Sequence, residues 1–190
     1  TAYDMEEWVN NAINAGHEFY LDLPVATDRY PYHDSGPLAL ILDAGKAKNM
    51  FRLNSVLEVT GGYSGLIIGP NEYFTHSFTA MMPVLQELQK RNKALIYIAN
   101  DENDFVREEA GKMNIPVVDH YIVPDSVMSV ESINRMLEAV YQDVVFEKKD
   151  VVLVGRAYPV TIKRIQTWIK QLHLDGFTMT PVSEQLGHGK

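Results

Sequence analysis

The sequence contains no cysteine, which removes a thiol nucleophile, a disulfide framework and a thiolate metal site together. It also lacks any apolar run approaching the roughly 20 residues that span a bilayer. Stretches such as Leu38–Leu42 and Val151–Val154 are the size of strands. No charged-then-apolar leader opens the chain, so neither a signal peptide nor an anchor is expected from this stretch. Low-complexity tracts, charge blocks and long linkers are missing too, so residues 1–190 read as a single domain. Basic residues are the minority, 17 Lys and Arg against 25 Asp and Glu, for a formal net charge of −8. That balance offers no footprint for nucleic acid or an anionic membrane surface.

What is present is a chain of 190 residues, 46% hydrophobic, long enough to bury a core without a staple. Asp4 is placed to cap a helix running to about Ala15, with Met5, Trp8, Val9, Ala12 and Ile13 on one face. Gly16 stops it, and His17–Leu23 reads as a strand closed by Pro24. Residues Val25–Gly45 form a long stretch containing Pro, Asp and Tyr, of a kind that is usually functional or flexible inside a compact domain. Further helices are expected at about Lys46–Val59, from Thr75 or Ser77 to Arg91, from the acidic run Asn100–Asp104 to Lys112, at Val130–Phe146 and at Val160–Leu172. Strands are expected at Tyr63–Ile68, Ala94–Ala99, Val117–Val123, Val151–Val154 and Phe177–Thr180.

Strands alternating with helical patterns imply βαβ units, hence an α/β fold on a parallel sheet. Right-handed crossovers then gather the loops after the strands on one face, where a site is expected. The strands are fewer than the eight or so of a closed barrel. Either an open sheet or a barrel without its first elements satisfies the order.

Several segments carry a family resemblance. Ala15-Gly16-His17-Glu18-Phe19-Tyr20-Leu21-Asp22-Leu23-Pro24 resembles the segment of divergent polysaccharide deacetylases in which a helix ending in Gly-His-Glu leads into a strand ending in Leu-Pro. The likeness resumes at Gly36-Pro37-Leu38-Ala39-Leu40, at Gly62-Tyr63-Ser64-Gly65 and at Phe74-Thr75. Val154-Gly155-Arg156-Ala157-Tyr158-Pro159 with Thr161 resembles the family's Gly-His-Pro-Tyr-Pro segment, and Gly176–Ser183 its final strand. The resemblance spans nearly the whole chain. It implies a distorted (β/α) barrel of the glycoside hydrolase/deacetylase type, here without its first strands, and a periplasmic or cell-envelope setting. It also implies chemistry in which a divalent cation held by Asp and His polarises an N-acetyl carbonyl and activates water, with an Asp as base and a late His as acid.

Two positions depart from that pattern. Where the family carries its metal-binding histidine, this chain has Gly69; where it carries the acid histidine, this chain has Arg156. Glycine has no donor, and a guanidinium stays protonated near neutral pH. The paired Asp residues of the family's first strand have no counterpart here. The resemblance therefore implies a deacetylase-like protein with an impaired centre and no cofactor, binding a glycan or an envelope protein partner. The alternatives are an active deacetylase, with zinc completed by Asp22, Glu72 or Asp101 and further Asp residues, and a structural subunit of an envelope complex.

The residues at which a ligand contact is expected are Asp22, Asn71, Glu72, Tyr73, Asp101, Arg156 and Tyr158. Arg156 is suited to bidentate contact with a carboxylate or phosphate, or else to an ion pair with a neighbouring loop acid. Glu72 is a replacement ligand or base, or simply part of a solvated loop, and Tyr73 a stacking platform for sugar. Asp22, at a strand end, serves as ligand or base, or bonds nearby backbone amides. Tyr30 and Tyr32 are candidates for a sugar-binding rim, and His33 with Asp34 lies in the same long loop. No pair of the six histidines has the i, i+4 spacing of a zinc helix. His17 reads as structural, and His76 lies at a helix start. Asp119 and His120, if neighbours on one strand, face opposite ways. Ser64 precedes a strand and sits in no nucleophile elbow, and Gly61-Gly62 lacks the strand-then-helix context of a nucleotide loop.

Overall fold

A computed structural model describes residues 2–99, 104–147 and 150–186 of the chain. The chain divides into two compact units, the first running to His120 and the second comprising Tyr121–Gln185.

In the first unit the elements alternate as α1 (Ala2–Asn14), β1 (Tyr20–Asp22), α2 (Lys46–Leu57), β2 (Gly65–Ile67), α3 (Glu72–Thr75), α4 (Phe78–Arg91), β3 (Ala94–Ile96), α5 (Phe105–Lys112) and β4 (Val117–Val118). The strands form one parallel sheet in the order β1-β2-β3-β4. Parallel neighbours require crossovers, and each crossover here contains at least one helix. In register, Tyr20, Leu21 and Asp22 oppose Gly65, Leu66 and Ile67, which oppose Ala94, Leu95 and Ile96. The alternation of strand side chains buries Leu21, Leu23, Leu66, Ile68 and Leu95 in one core. Helices α2, α4 and α5 cover that core with Leu53, Val56 and Leu57, with Met81, Val84, Leu85 and Leu88, and with Val106 and Ala110. Each fully buried Leu or Met contributes about 1.5–3 kcal/mol relative to exposure.

Gly65 shows why one strand position has no side chain. A Cβ there would lie 2.3 Å from the Ala94 carbonyl oxygen, a clash with the backbone of the paired strand. At the other extreme, Gly16 adopts φ 83° just after α1, the left-handed geometry that ends helices and favours glycine.

The second unit is mainly helical, with α6 (Val130–Phe146), α7 (Pro159–Leu174) and all but the last residue of α8 (Val182–Leu186). Ser129 caps α6 by accepting from the Ser132 amide at 3.1 Å. Pro159 opens α7, where its missing N–H is no loss. Ile133, Leu137 and Val140 of α6 and Leu172 of α7 are buried. The Tyr141 hydroxyl on α6 donates to Asp175 at the end of α7, at 2.8 Å.

The α/β class and the parallel sheet are as the sequence implies, and the arrangement is consistent with a deacetylase-like (β/α) barrel. Several boundaries differ. Helix α1 begins before Asp4, so Asp4 is inside the helix and is not its cap. Val117–Val123 is not one strand: β4 stops at Val118, and Ile122 pairs separately with Leu153 in a single parallel bridge. That bridge is all the strand structure in Val151–Val154, and Phe177–Thr180 forms none. Thr178, Met179 and Thr180 are exposed, so this run has no core face to bind it to a sheet. The acidic run's first four residues, Asn100–Asn103, lie outside the described residues. Its last, Asp104, caps α5 by accepting from the amides of Val106 and Arg107.

Candidate functional site

Because β1, β2 and β3 run parallel, the loops that follow them leave the first unit's sheet at the same, C-terminal end. Asp22 ends β1 and is exposed, opposite Ile67 in register. Its carboxylate makes no hydrogen bond or ion pair with another described residue, unlike the amide-bonded alternative. Partial burial by the surrounding atoms raises its pKa above the usual carboxylate value.

The long loop after β1 is pinned at its neck. Val25 and Leu40 form a parallel bridge, the Ala26 amide donates to the Leu40 carbonyl at 2.8 Å, and the Leu40 amide donates to the Pro24 carbonyl at 2.9 Å. Between these points the chain carries Tyr30, 42% exposed, and Tyr32, 97% exposed. Asp34 accepts from the Gly36 amide at 2.9 Å, an Asx-type turn that shapes the loop.

After β2, Gly69 is exposed, and a Cβ on it would meet nothing within 4 Å. The residue that follows Pro70 builds the loop. Asn71 caps α3 by accepting from the Phe74 amide at 3.0 Å, and its Nδ2 donates to the Ala26 carbonyl at 3.1 Å. Its side chain thus ties the β2 loop to the β1 loop. Glu72 and Tyr73, on the first turn of α3, face solvent, and Tyr73 is 44% exposed. His76 is the C-cap of α3, directly precedes Ser77, the N-cap of α4, and is exposed.

Asp101 lies outside the described residues. Beside it in sequence, the fully buried Tyr97 donates to Asp104 at 2.8 Å. Burial, and then this hydrogen bond and the charge of Asp104, push the Tyr97 phenol well above its ordinary pKa. Arg107 pairs with Asp119, and Asp119 therefore belongs to an ion pair at the end of β4. Neither Asp119 nor His120 is in a strand, so the strand-face argument does not apply to them.

The donor set for a divalent cation is thin. Among the described residues no group of three or more Asp, Glu or His side chains is placed to hold a metal ion. Gly69 supplies no ligand, and Asn71 has spent its amide on the fold. Taken alone, the described residues do not make up the metal centre of a deacetylase.

In the second unit, the loop carrying Arg156 is held by a residue that the sequence alone did not single out. Asp125 is fully buried. Its Oδ2 accepts from the Arg156 backbone amide at 2.9 Å and from the Thr161 hydroxyl at 3.0 Å. Its Oδ1 is buried without a partner among the described residues. The bond to Arg156 is thus made by the main chain, while the Arg156 side chain is exposed and in no ion pair with a described residue. Tyr158, 40% exposed, precedes α7. A lone Asp directly after the apolar run Tyr121–Pro124 was the available signal, but only the fold reveals that Thr161 and the Arg156 amide converge on it.

Comparison with known proteins fits this picture. The model of the divergent polysaccharide deacetylase family matches residues 1–186. No curated protein matches the chain. Among solved structures, an uncharacterized protein, ATU2773 from Agrobacterium tumefaciens C58, superposes with a TM-score of 0.84 at 20% identity, over 95% of this chain and 73% of that one. At that identity the likeness establishes the fold.

Proposed function

Because the chain belongs to the divergent polysaccharide deacetylase family, we propose that it is a deacetylase-like protein of carbohydrate and cell-envelope metabolism whose catalytic centre is impaired and which acts by binding a glycan. What supports this reading is residue type: Gly69 and Arg156 stand where the family resemblance places its metal-binding and acid histidines. Proton transfer and cation binding each need a side chain of a kind that these two positions do not have.

Glycan binding is supported by the rim of the first unit. Tyr30 and Tyr32 on the β1 loop and Tyr73 on the β2 loop present aromatic surface to solvent, of the amphipathic type that stacks on sugar rings. The bond from Asn71 to Ala26 couples the two loops that carry them. The envelope setting rests on the family alone.

Titration of the full chain with oligomers of N-acetylated glucosamine, followed by tyrosine fluorescence, tests this reading. Saturable binding that Tyr32→Ala weakens, without release of acetate, is expected. Release of acetate would overturn the impairment, and absence of binding would overturn the glycan role. An active zinc-dependent deacetylase is the second reading. Asp22 favours it, as an unpaired carboxylate of raised pKa at a strand end, but it needs donors that the described residues do not bring together.

A further inference from the structure

The first unit contains a cavity of about 210 Å³ to which none of the candidate site residues contributes. Leu40, Leu42, Met50, Leu53, Ala80 and Pro83 form its apolar walls. Its polar side is built from Lys46, the first residue of α2, and from Ser77 and Thr79 at the start of α4. The two hydroxyls lie 3.5 Å apart. Asn49 also lines the cavity, but its amide is used in both directions on the Ile41 backbone, at 3.1 and 2.7 Å, so it is wall and not ligand.

The charge of this lining runs against that of the molecule. The chain carries a net charge of −8, yet among the described residues no acidic side chain lines the cavity, and the one basic side chain that does is Lys46. The amides that open α2 and α4 add to the same sign, since neither helix has a side-chain cap there. An apolar chamber with a cationic, hydroxyl-bearing mouth complements a molecule with an alkyl body and a single anionic head. The volume is below the roughly 300–1,000 Å³ typical of sites for drug-sized ligands, which limits the body to a short chain.

We propose that this cavity binds a free monocarboxylate with an unbranched alkyl chain of the length of octanoate or shorter. The alkyl chain lies against Leu40, Leu42, Met50, Leu53 and Pro83, and the carboxylate meets Lys46 and the hydroxyls of Ser77 and Thr79. This site goes beyond the deacetylase-like reading and does not depend on it.

The test is a titration of the full, ¹⁵N-labelled chain with sodium octanoate, read by amide shifts. Saturable shifts confined to Gly45, Lys46, Ser77, Thr79 and their neighbours are expected, with a dissociation constant of roughly millimolar order for a ligand so small. Octanol, which keeps the chain and loses the charge, is expected to bind several-fold more weakly. Lys46→Glu is expected to weaken octanoate roughly three- to tenfold while leaving the melting temperature unchanged, because the Lys46 side chain is exposed. Ala80→Leu, which narrows the chamber, is expected to abolish the shifts. Absence of saturable shifts, equal binding of octanol, or undiminished binding by Lys46→Glu would each overturn the proposal.

Discussion

Replacing Asp125 separates the energetics of a buried carboxylate into its parts. In Asp125→Ala the Arg156 amide and the Thr161 hydroxyl lose their shared acceptor inside a fully buried site. Hydrogen bonds to a charged group contribute about 1.5–3 kcal/mol each, and a buried group left unsatisfied costs about 1–3 kcal/mol. Against this, removal of Oδ1, which has no partner among the described residues, relieves the desolvation of a buried charge. The net expectation for Asp125→Ala is a loss of about 2–4 kcal/mol. In Asp125→Asn the carbonyl oxygen still accepts both bonds, and the amide nitrogen replaces the unpartnered oxygen. An unpaired buried carboxylate oxygen becomes an unpaired buried donor of no net charge, so the loss is expected to stay within about 1 kcal/mol. Urea denaturation of the two variants beside the parent reads the difference directly. By melting temperature the Ala variant should fall by roughly 5–15 °C and the Asn variant by a few degrees. If Asn is as damaging as Ala, the free oxygen has a partner that a carboxamide cannot serve, and this reasoning fails.

Further expectations follow from other positions. Gly65→Ala should cost more than about 3 kcal/mol or prevent folding, since its Cβ meets the Ala94 backbone at 2.3 Å, whereas Gly69→His should change stability by less than about 1 kcal/mol, because its Cβ meets nothing; the two denaturation midpoints check the contrast. Tyr97→Phe should lose about 1–2 kcal/mol by removing the donor to Asp104, and equal urea midpoints for variant and parent would contradict it. Asp22 has a raised folded-state pKa. The folded chain therefore binds the extra proton, and stability attributable to this group falls as pH rises through the window above the ordinary carboxylate value. Asp22→Asn should flatten that fall, which pH-dependent denaturation measures; a steeper fall in the variant would contradict the assigned direction.

The helices were the more legible elements, for a physical reason. Amphipathic spacing and end signals are local, so Val130–Phe146 matches α6, and Lys46–Val59 overruns α2 by two residues. Strands depend on a partner that the local sequence does not contain. Val151–Val154 has the composition of a strand, yet only Leu153 pairs; Phe177–Thr180 pairs with nothing described, and most of it is exposed. Asp125 was not legible, because its role exists only where two distant segments meet at its carboxylate. Asn71 was legible as a loop residue but not as the link between the β1 and β2 loops, a contact across 45 residues of chain.

Metal retention tests the central claim most directly. The full chain is mixed with zinc or cobalt, desalted, and its metal content measured by elemental analysis. If Gly69 stands where the family resemblance places a histidine, and with no three-donor cluster among the described residues, substoichiometric retention is predicted, unchanged in Asp22→Ala and Glu72→Ala. One equivalent of metal retained by the parent chain and lost in either variant would contradict the account and establish a metal centre.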